Sequence, residues 1–302
     1  MTIKHLVISG GGPTLFRTLG ALQHLQEAAF WKLEDIESMY GTSAGAIVAV
    51  ILCLRYEWDT LNTYFLDRPW HEAFPINAST IFDAFTKKGI FDRIFLEKAF
   101  KPLFNAKDIS MEITMQEFYE YSQIEIHIYS FELHEFKPVD ISYKTHPDLP
   151  LLTALQMTSA IPIVFAPKCM DGKCYLDGGI SVNYPLNSCI DAGNNKDEIL
   201  GFKNKYEDVN ETEEAYNIDA DSNMLDYIST FLHKLIFNMN TEHHQQAIPH
   251  EVAYNTKYLS LSYLQSVLSS RDIRCELMAS GKAAAESFLL KKTSLPLHDA
   301  VV

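Results

Sequence analysis

Within its first 55 residues the chain twice runs from a short apolar strand through a glycine turn into an apolar helix. Residues 5–9 form a β-branched run that stops at Gly10-Gly11-Gly12, after which Leu15, Leu19, Leu22 and Leu25 recur at helical spacing. Residues 36–40 then read as a second strand, Gly41-Thr42-Ser43-Ala44-Gly45 as a turn, and residues 46–54 as a helix apolar on every side. A strand and a helix repeated in this order can bury their apolar faces together only in an α/β layer. The pattern therefore predicts a three-layer α/β/α fold with a mainly parallel central sheet.

Further along, residues 57–123 read as mostly helical. Phe82, Phe85, Phe91, Phe95, Phe100 and Phe104 recur every three to six positions there and are assigned to the core, with a lipid-binding wall as the alternative. Ile124, Ile126 and Ile128 alternate with Glu125 and His127 as a half-buried strand, with residues 139–143 as its hairpin partner. A helix over residues 151–158 is stopped by Pro162, and Asp171-Gly172 marks a two-residue hairpin leading to Tyr175-Leu176-Asp177-Gly178-Gly179. The α/β body is placed at residues 1–203. Residues 204–223, with seven acidic side chains against one Lys, read as an exposed linker. Residues 224–302 read as a helical extension packed on the body, with Leu225, Ile228, Phe231, Leu232 and Leu235 on one helix face and a second helix over residues 271–290.

Bulk properties exclude several classes. At 47% hydrophobic and 21% charged residues the chain is globular, and a net charge of −14 argues against a nucleic-acid partner. The longest uncharged apolar run, residues 44–54, falls short of the roughly 20 residues needed to span a bilayer. The amino terminus lacks the three-part layout of a signal peptide, so the expected location is cytoplasmic, with peripheral contact to membranes. The sequons at Asn77 and Asn210 carry no weight without a secretory signal. The five cysteines are expected as reduced thiols, although Cys169 and Cys174 would face each other across the Asp171-Gly172 hairpin.

Chemistry concentrates in three places. Ser43 lies in a G-x-S-x-G turn between strand and helix, where small neighbours leave a nucleophile accessible and the helix amino terminus favours developing negative charge. Gly10, Gly11 and Gly12 can turn backbone N–H groups onto an oxyanion without side chains in the way. A dinucleotide fingerprint would need glycine where Leu15 stands. Asp177 precedes Gly178-Gly179 at a strand end; alone it reads as a turn aspartate, and beside the other two motifs as a candidate base. A Ser-His-Asp triad would recruit His233, His243, His244, His250 or His298, none in a distinctive context. Glu242, His243, His244 and His250 contain no i, i+4 ligand pair, and no metal or cofactor is expected.

Together these residues resemble the patatin-like phospholipase family, whose pattern is a glycine-rich loop, a G-x-S-x-G serine and an Asp-Gly-Gly or Asp-Gly-Ala aspartate. Further likeness lies in Gly20-Ala21-Leu22, in the ALQMTSAIP stretch at residues 154–162 and in Asn183-Tyr184-Pro185, so that it covers residues 5–190. The resemblance implies a patatin-like fold and a Ser43–Asp177 dyad, with Gly10, Gly11 and Gly12 as oxyanion loop and Gly41, Gly45, Gly178 and Gly179 as motif glycines. It implies hydrolysis of carboxylic esters of glycerophospholipids or related lipids at a membrane or micelle surface. One departure stands out: the family has a basic residue and glycine soon after the triplet, where this chain has Pro13-Thr14-Leu15. The oxyanion donors are therefore expected from Gly11, Gly12 and Thr14, unaided by a basic side chain. A non-catalytic lipid-binding or interaction protein on the same fold is the alternative that this departure leaves open.

Overall fold

The computed structural model describes residues 2–75, 78–206, 246–256 and 260–294, together with single residues between 224 and 235. A parallel core of strands β1 (His5–Ile8), β2 (Ser38–Thr42), β4 (Glu125–Glu132), β9 (Ile199–Tyr206) and β10 (His250–Thr256) runs in the spatial order β10-β9-β1-β2-β4. Antiparallel strands complete that sheet: β5 (Lys137–Ile141) and β8 (Lys173–Asp177) both pair with β4, and β7 (Lys168–Met170) pairs with β8. A separate parallel pair joins β3 (Gly89–Phe91) to β6 (Ile163–Phe165).

Every residue of β1 and β2 is buried, as expected of strands covered by helices on both faces. Helix α1 (Leu15–Glu27) follows β1 and helix α2 (Ala44–Cys53) follows β2, as the repeated sequence pattern predicts. All but one of the ten residues of α2 are buried, which fits its lack of a polar face. The long helix Arg271–Ser294 lies against α1. The two backbones meet at Gly20 and Gly281, where any Cβ would overlap the Met278 or the Arg17 carbonyl oxygen. Buried Arg274 fastens the same helix to the body: its guanidinium donates to the carbonyls of Leu66, Arg68, Val267 and Leu268.

The alternation expected of β4 holds, with Ile124, Ile126 and Ile128 buried and Glu125 and His127 half-buried, while the rest of the strand is buried throughout because it lies inside the sheet. Other expectations change. Asn204, Lys205 and Tyr206, read as the start of the acidic linker, are the end of β9, and β10 comes from the segment expected to be helical throughout. The rest of that linker, residues 207–223, lies outside the described residues, as does much of the helix expected at 224–235. Phe82 and Phe85, assigned to the core, are 73% and 77% exposed on helix Ala78–Lys87, whereas Phe91, Phe100 and Phe104 are buried. Finally, Cys169 and Cys174 form a disulfide. Asp171 and Gly172, both at positive φ, turn β7 into β8 and set the two cysteines directly opposite, 4.0 Å apart at Cα. Cys53, Cys189 and Cys275 are free thiols.

Candidate active site

The turn after β2 is shaped by collisions it avoids. A Cβ at Gly41 would lie 2.6 Å from the Ala46 nitrogen, and one at Gly45 would lie 2.8 Å from the Ile8 carbonyl carbon, so each flank of Ser43 requires glycine. Between them Ser43 is held at φ 52° and ψ −120°, a conformation that costs a non-glycine residue about 1–3 kcal/mol. Its surroundings enforce that geometry. The Ser43 N–H donates to Thr158 Oγ1 at 2.8 Å, the Thr158 hydroxyl donates to the Tyr129 carbonyl, and the Ser43 carbonyl, at the N-cap of α2, accepts from the Ile47 N–H at 3.1 Å.

Asp177 ends β8 opposite Ser130 of β4. Its N–H donates to the Ala160 carbonyl at 3.0 Å, and its Oδ1 accepts from the Gly179 N–H at 2.7 Å. Gly178 must lack a side chain because a Cβ there would overlap the Tyr129 carbonyl. Burial lifts the Asp177 pKa from 3.8 to about 7; the nearby Ser43 hydroxyl and the Gly179 N–H offset part of the rise. Oδ2 has no hydrogen bond of ordinary length among the described residues.

The first glycine turn is tied to the same place. Gly10 lies against Ser43, since a Cβ on it would stand 3.2 Å from Ser43 Cβ. Its N–H donates to the Asn183 carbonyl at 3.0 Å, so that donor is spent within the fold. The Thr14 N–H is spent likewise, on the Gly11 carbonyl at 3.2 Å. This narrows the expected oxyanion set: among the described residues only Gly11 and Gly12 of this loop keep N–H groups without a backbone acceptor. Pro13 sits in the short helical turn Gly12–Thr14, where its missing N–H costs nothing.

Ser43 opens onto a cavity whose walls are almost wholly apolar, including Ile47, Ile51, Phe65, Phe95, Phe100 and Leu268. Phe95 and Phe100 are therefore cavity walls as well as packing, so both readings of the aromatic spacing hold for them. Arg274 also borders the cavity, yet its N–H groups are committed to backbone carbonyls.

Of the histidines considered for a triad, His250 opens β10 beside Leu200 and its ring packs on Phe30; the groups that shift the Asp177 carboxyl are Ser43 and Gly179. His233, His243, His244 and His298 lie outside the described residues. Among the described residues no group of three or more His, Cys, Asp or Glu side chains is arranged to hold a metal ion, and no helix is long and apolar enough to cross a membrane. Sequence reasoning did not single out Thr158, Asn204 or Arg274; Thr158 was within the ALQMTSAIP stretch, and the other two had no local signal.

Comparison with known proteins places this geometry. Over 197 residues the chain is 28% identical to "Probable lipid hydrolase 463L" of Invertebrate iridescent virus 6, covering 65% of this chain and 66% of that protein. Over 186 residues it is 25% identical to "Uncharacterized protein R571" of Acanthamoeba polyphaga mimivirus, covering 61% and 60%. The matches thus span somewhat under two thirds of each viral relative. In fold it is similar to VipD from Legionella pneumophila, with a TM-score of 0.53 and 18% identity over 96% of this chain and 67% of that one. The patatin-like phospholipase family model matches residues 6–190, a segment that contains the glycine loop, Ser43 and Asp177, and on that match the chain belongs to the patatin-like phospholipase family.

Proposed function

We propose that the protein is a lipid acyl hydrolase that cleaves carboxylic esters of glycerophospholipids or related lipids through an acyl-enzyme on Ser43. One observation carries this reading: a serine on a strained turn lines an apolar cavity, beside a buried carboxyl whose pKa is raised to about 7.

In the first step Ser43 Oγ attacks the ester carbonyl while Asp177 takes the hydroxyl proton. An unperturbed aspartate is a poor base, and burial corrects this by bringing its pKa close to neutral pH. The oxyanion is stabilised by the N–H groups of Gly11 and Gly12 and by the amino terminus of α2. The alcohol leaves with the proton returned from Asp177. Water, deprotonated by the same carboxylate, then attacks the acyl carbon and releases the fatty acid. The acyl chain occupies the apolar cavity, whose walls exclude competing water. Substrate is presented at a membrane or micelle surface, and the protein acts in the cytoplasm as a peripheral enzyme.

Lipid-product analysis tests this reading. Mixed phospholipid vesicles incubated with the wild type should yield free fatty acid and lysophospholipid, and the Ser43→Ala variant should yield neither. Wild-type protein that is folded yet releases no acyl product from phospholipid, glyceride or simple ester would favour the non-catalytic alternative.

A further inference from the structure

The peptide unit between Gly10 and Gly11 is planar and trans, so its carbonyl and its N–H point in opposite directions. Whatever fixes the Gly10 carbonyl therefore aims the Gly11 N–H. That carbonyl accepts from Asn204 Nδ2 at 2.6 Å, with Asn183 Nδ2 farther off at 3.5 Å. The second N–H of the Asn204 amide donates to Thr14 Oγ1 at 3.0 Å, and the Asn204 backbone N–H donates to Ser9 Oγ at 3.0 Å. Asn204 thus grips residues 9, 10 and 14, on both sides of Gly11 and Gly12.

Both glycines lie inside that grip. A Cβ on Gly11 would overlap Asn204 Nδ2, so the close approach of the amide requires glycine there. Asn204 is buried and stands in β9, paired with Tyr254 of β10, in the register that continues from Ile8 opposite Phe202. A central strand is a rigid support for such a contact. Asn204 also lies beyond residue 190, where the family match ends.

We infer that Asn204 is a positioning residue for ester hydrolysis: its side-chain amide, through the Gly10 carbonyl and the Thr14 hydroxyl, holds the Gly11 and Gly12 N–H groups where the oxyanion forms. This rests on the reading of Ser43 as nucleophile. It also supplies a reason for Thr14 in a loop without a basic side chain: the hydroxyl gives the second N–H of the amide its acceptor. A donor displaced by about 1 Å costs on the order of 10²-fold in rate, because oxyanion stabilisation depends on preorganised geometry.

The test uses the full-length protein, a soluble short-chain p-nitrophenyl ester and an alkyl trifluoromethyl ketone, which forms a tetrahedral adduct with an active serine. In Asn204→Ala, kcat should fall by about 10- to 100-fold with KM little changed, and affinity for the ketone should fall in parallel. The end-point stoichiometry of fluorophosphonate labelling counts folded sites and should stay at the wild-type level. If Asn204→Ala does not fold, Asn204→Leu keeps the side-chain shape while removing the amide and serves for the same readings. A wild-type kcat per labelled site, or a loss of kcat without loss of ketone affinity, would overturn the inference. Wild-type protein that neither labels at Ser43 nor turns over the ester would instead remove the hydrolase reading beneath it.

Discussion

The two glycine turns that meet at Ser43 are built by different means. The turn after β2 is local: Gly41 and Gly45 fit against α2 and the end of β1, and each would collide with backbone if it carried a side chain. The turn after β1 is held from far along the chain, by Asn183 at Gly10 and by Asn204 at Ser9, Gly10 and Thr14. One turn therefore fails by steric overlap and the other by loss of distant hydrogen bonds. Substitutions in the first should appear as instability, and those supporting the second as lost turnover in a folded protein.

The largest expected effect lies at the residue both turns serve. Ser43→Ala should lower turnover by about 10⁴-fold or more, measured as fatty-acid release per folded protein, while leaving thermal stability close to wild type or above it. Asp177→Asn comes next, with a loss of about 10²- to 10⁴-fold in kcat as the general base is removed.

The same substitution should stabilise the protein in a pH-dependent way. A folded carboxyl with a pKa of about 7, against 3.8 unperturbed, contributes stability that is fully present below the lower value and is lost as pH rises through the higher one. An amide carries no such loss. Asp177→Asn should therefore raise the unfolding free energy at about pH 8, by roughly 4 kcal/mol at most, and with it the melting temperature, and do little near pH 4. A variant destabilised at pH 8 would show that the carboxyl is held ionised by contacts that outweigh its burial.

Gly45→Ala separates the two turns. The added methyl meets backbone, so the expected cost is about 1–3 kcal/mol in denaturant unfolding. Thr14→Val, at the other turn, should have the smallest effect, a fall of about two- to tenfold in kcat with stability within about 1 kcal/mol of wild type. Equal loss of stability in the two variants would erase the distinction drawn between the turns.

That distinction also explains what the sequence could reveal. Ser43 was legible because its strand, its flanking glycines and its helix lie within one short stretch, where spacing and residue size carry the geometry. Asp177 was legible as a turn aspartate alone and as a candidate base only beside the other two motifs, because the burial that raises its pKa comes from segments remote in sequence. The strands β1, β2 and β4 were legible from apolar runs, whereas β10 was not: His250, Glu251 and Asn255 interrupt its apolar residues, and only the sheet shows that Val252 and Tyr254 are covered. Phe82 and Phe85 look like core residues on any local scale, and their exposure depends on how helix Ala78–Lys87 is set beside β3. Asn204 lay in what read as an acidic linker, and its role depends on pairing with a strand nearly 200 residues earlier.

The central claim, that Ser43 attacks an ester with Asp177 as its base, is tested most directly by rapid-quench intact-mass measurement. The wild type would be mixed with a long-chain p-nitrophenyl ester from about pH 5 to about pH 9, with Ser43→Ala and Asp177→Asn in parallel. The predicted result is one acyl group on Ser43, formed at a rate that rises with an apparent pKa of about 7, and no adduct in Ser43→Ala. Acylation at another residue, or a Ser43 adduct whose rate is unchanged by Asp177→Asn, would contradict it.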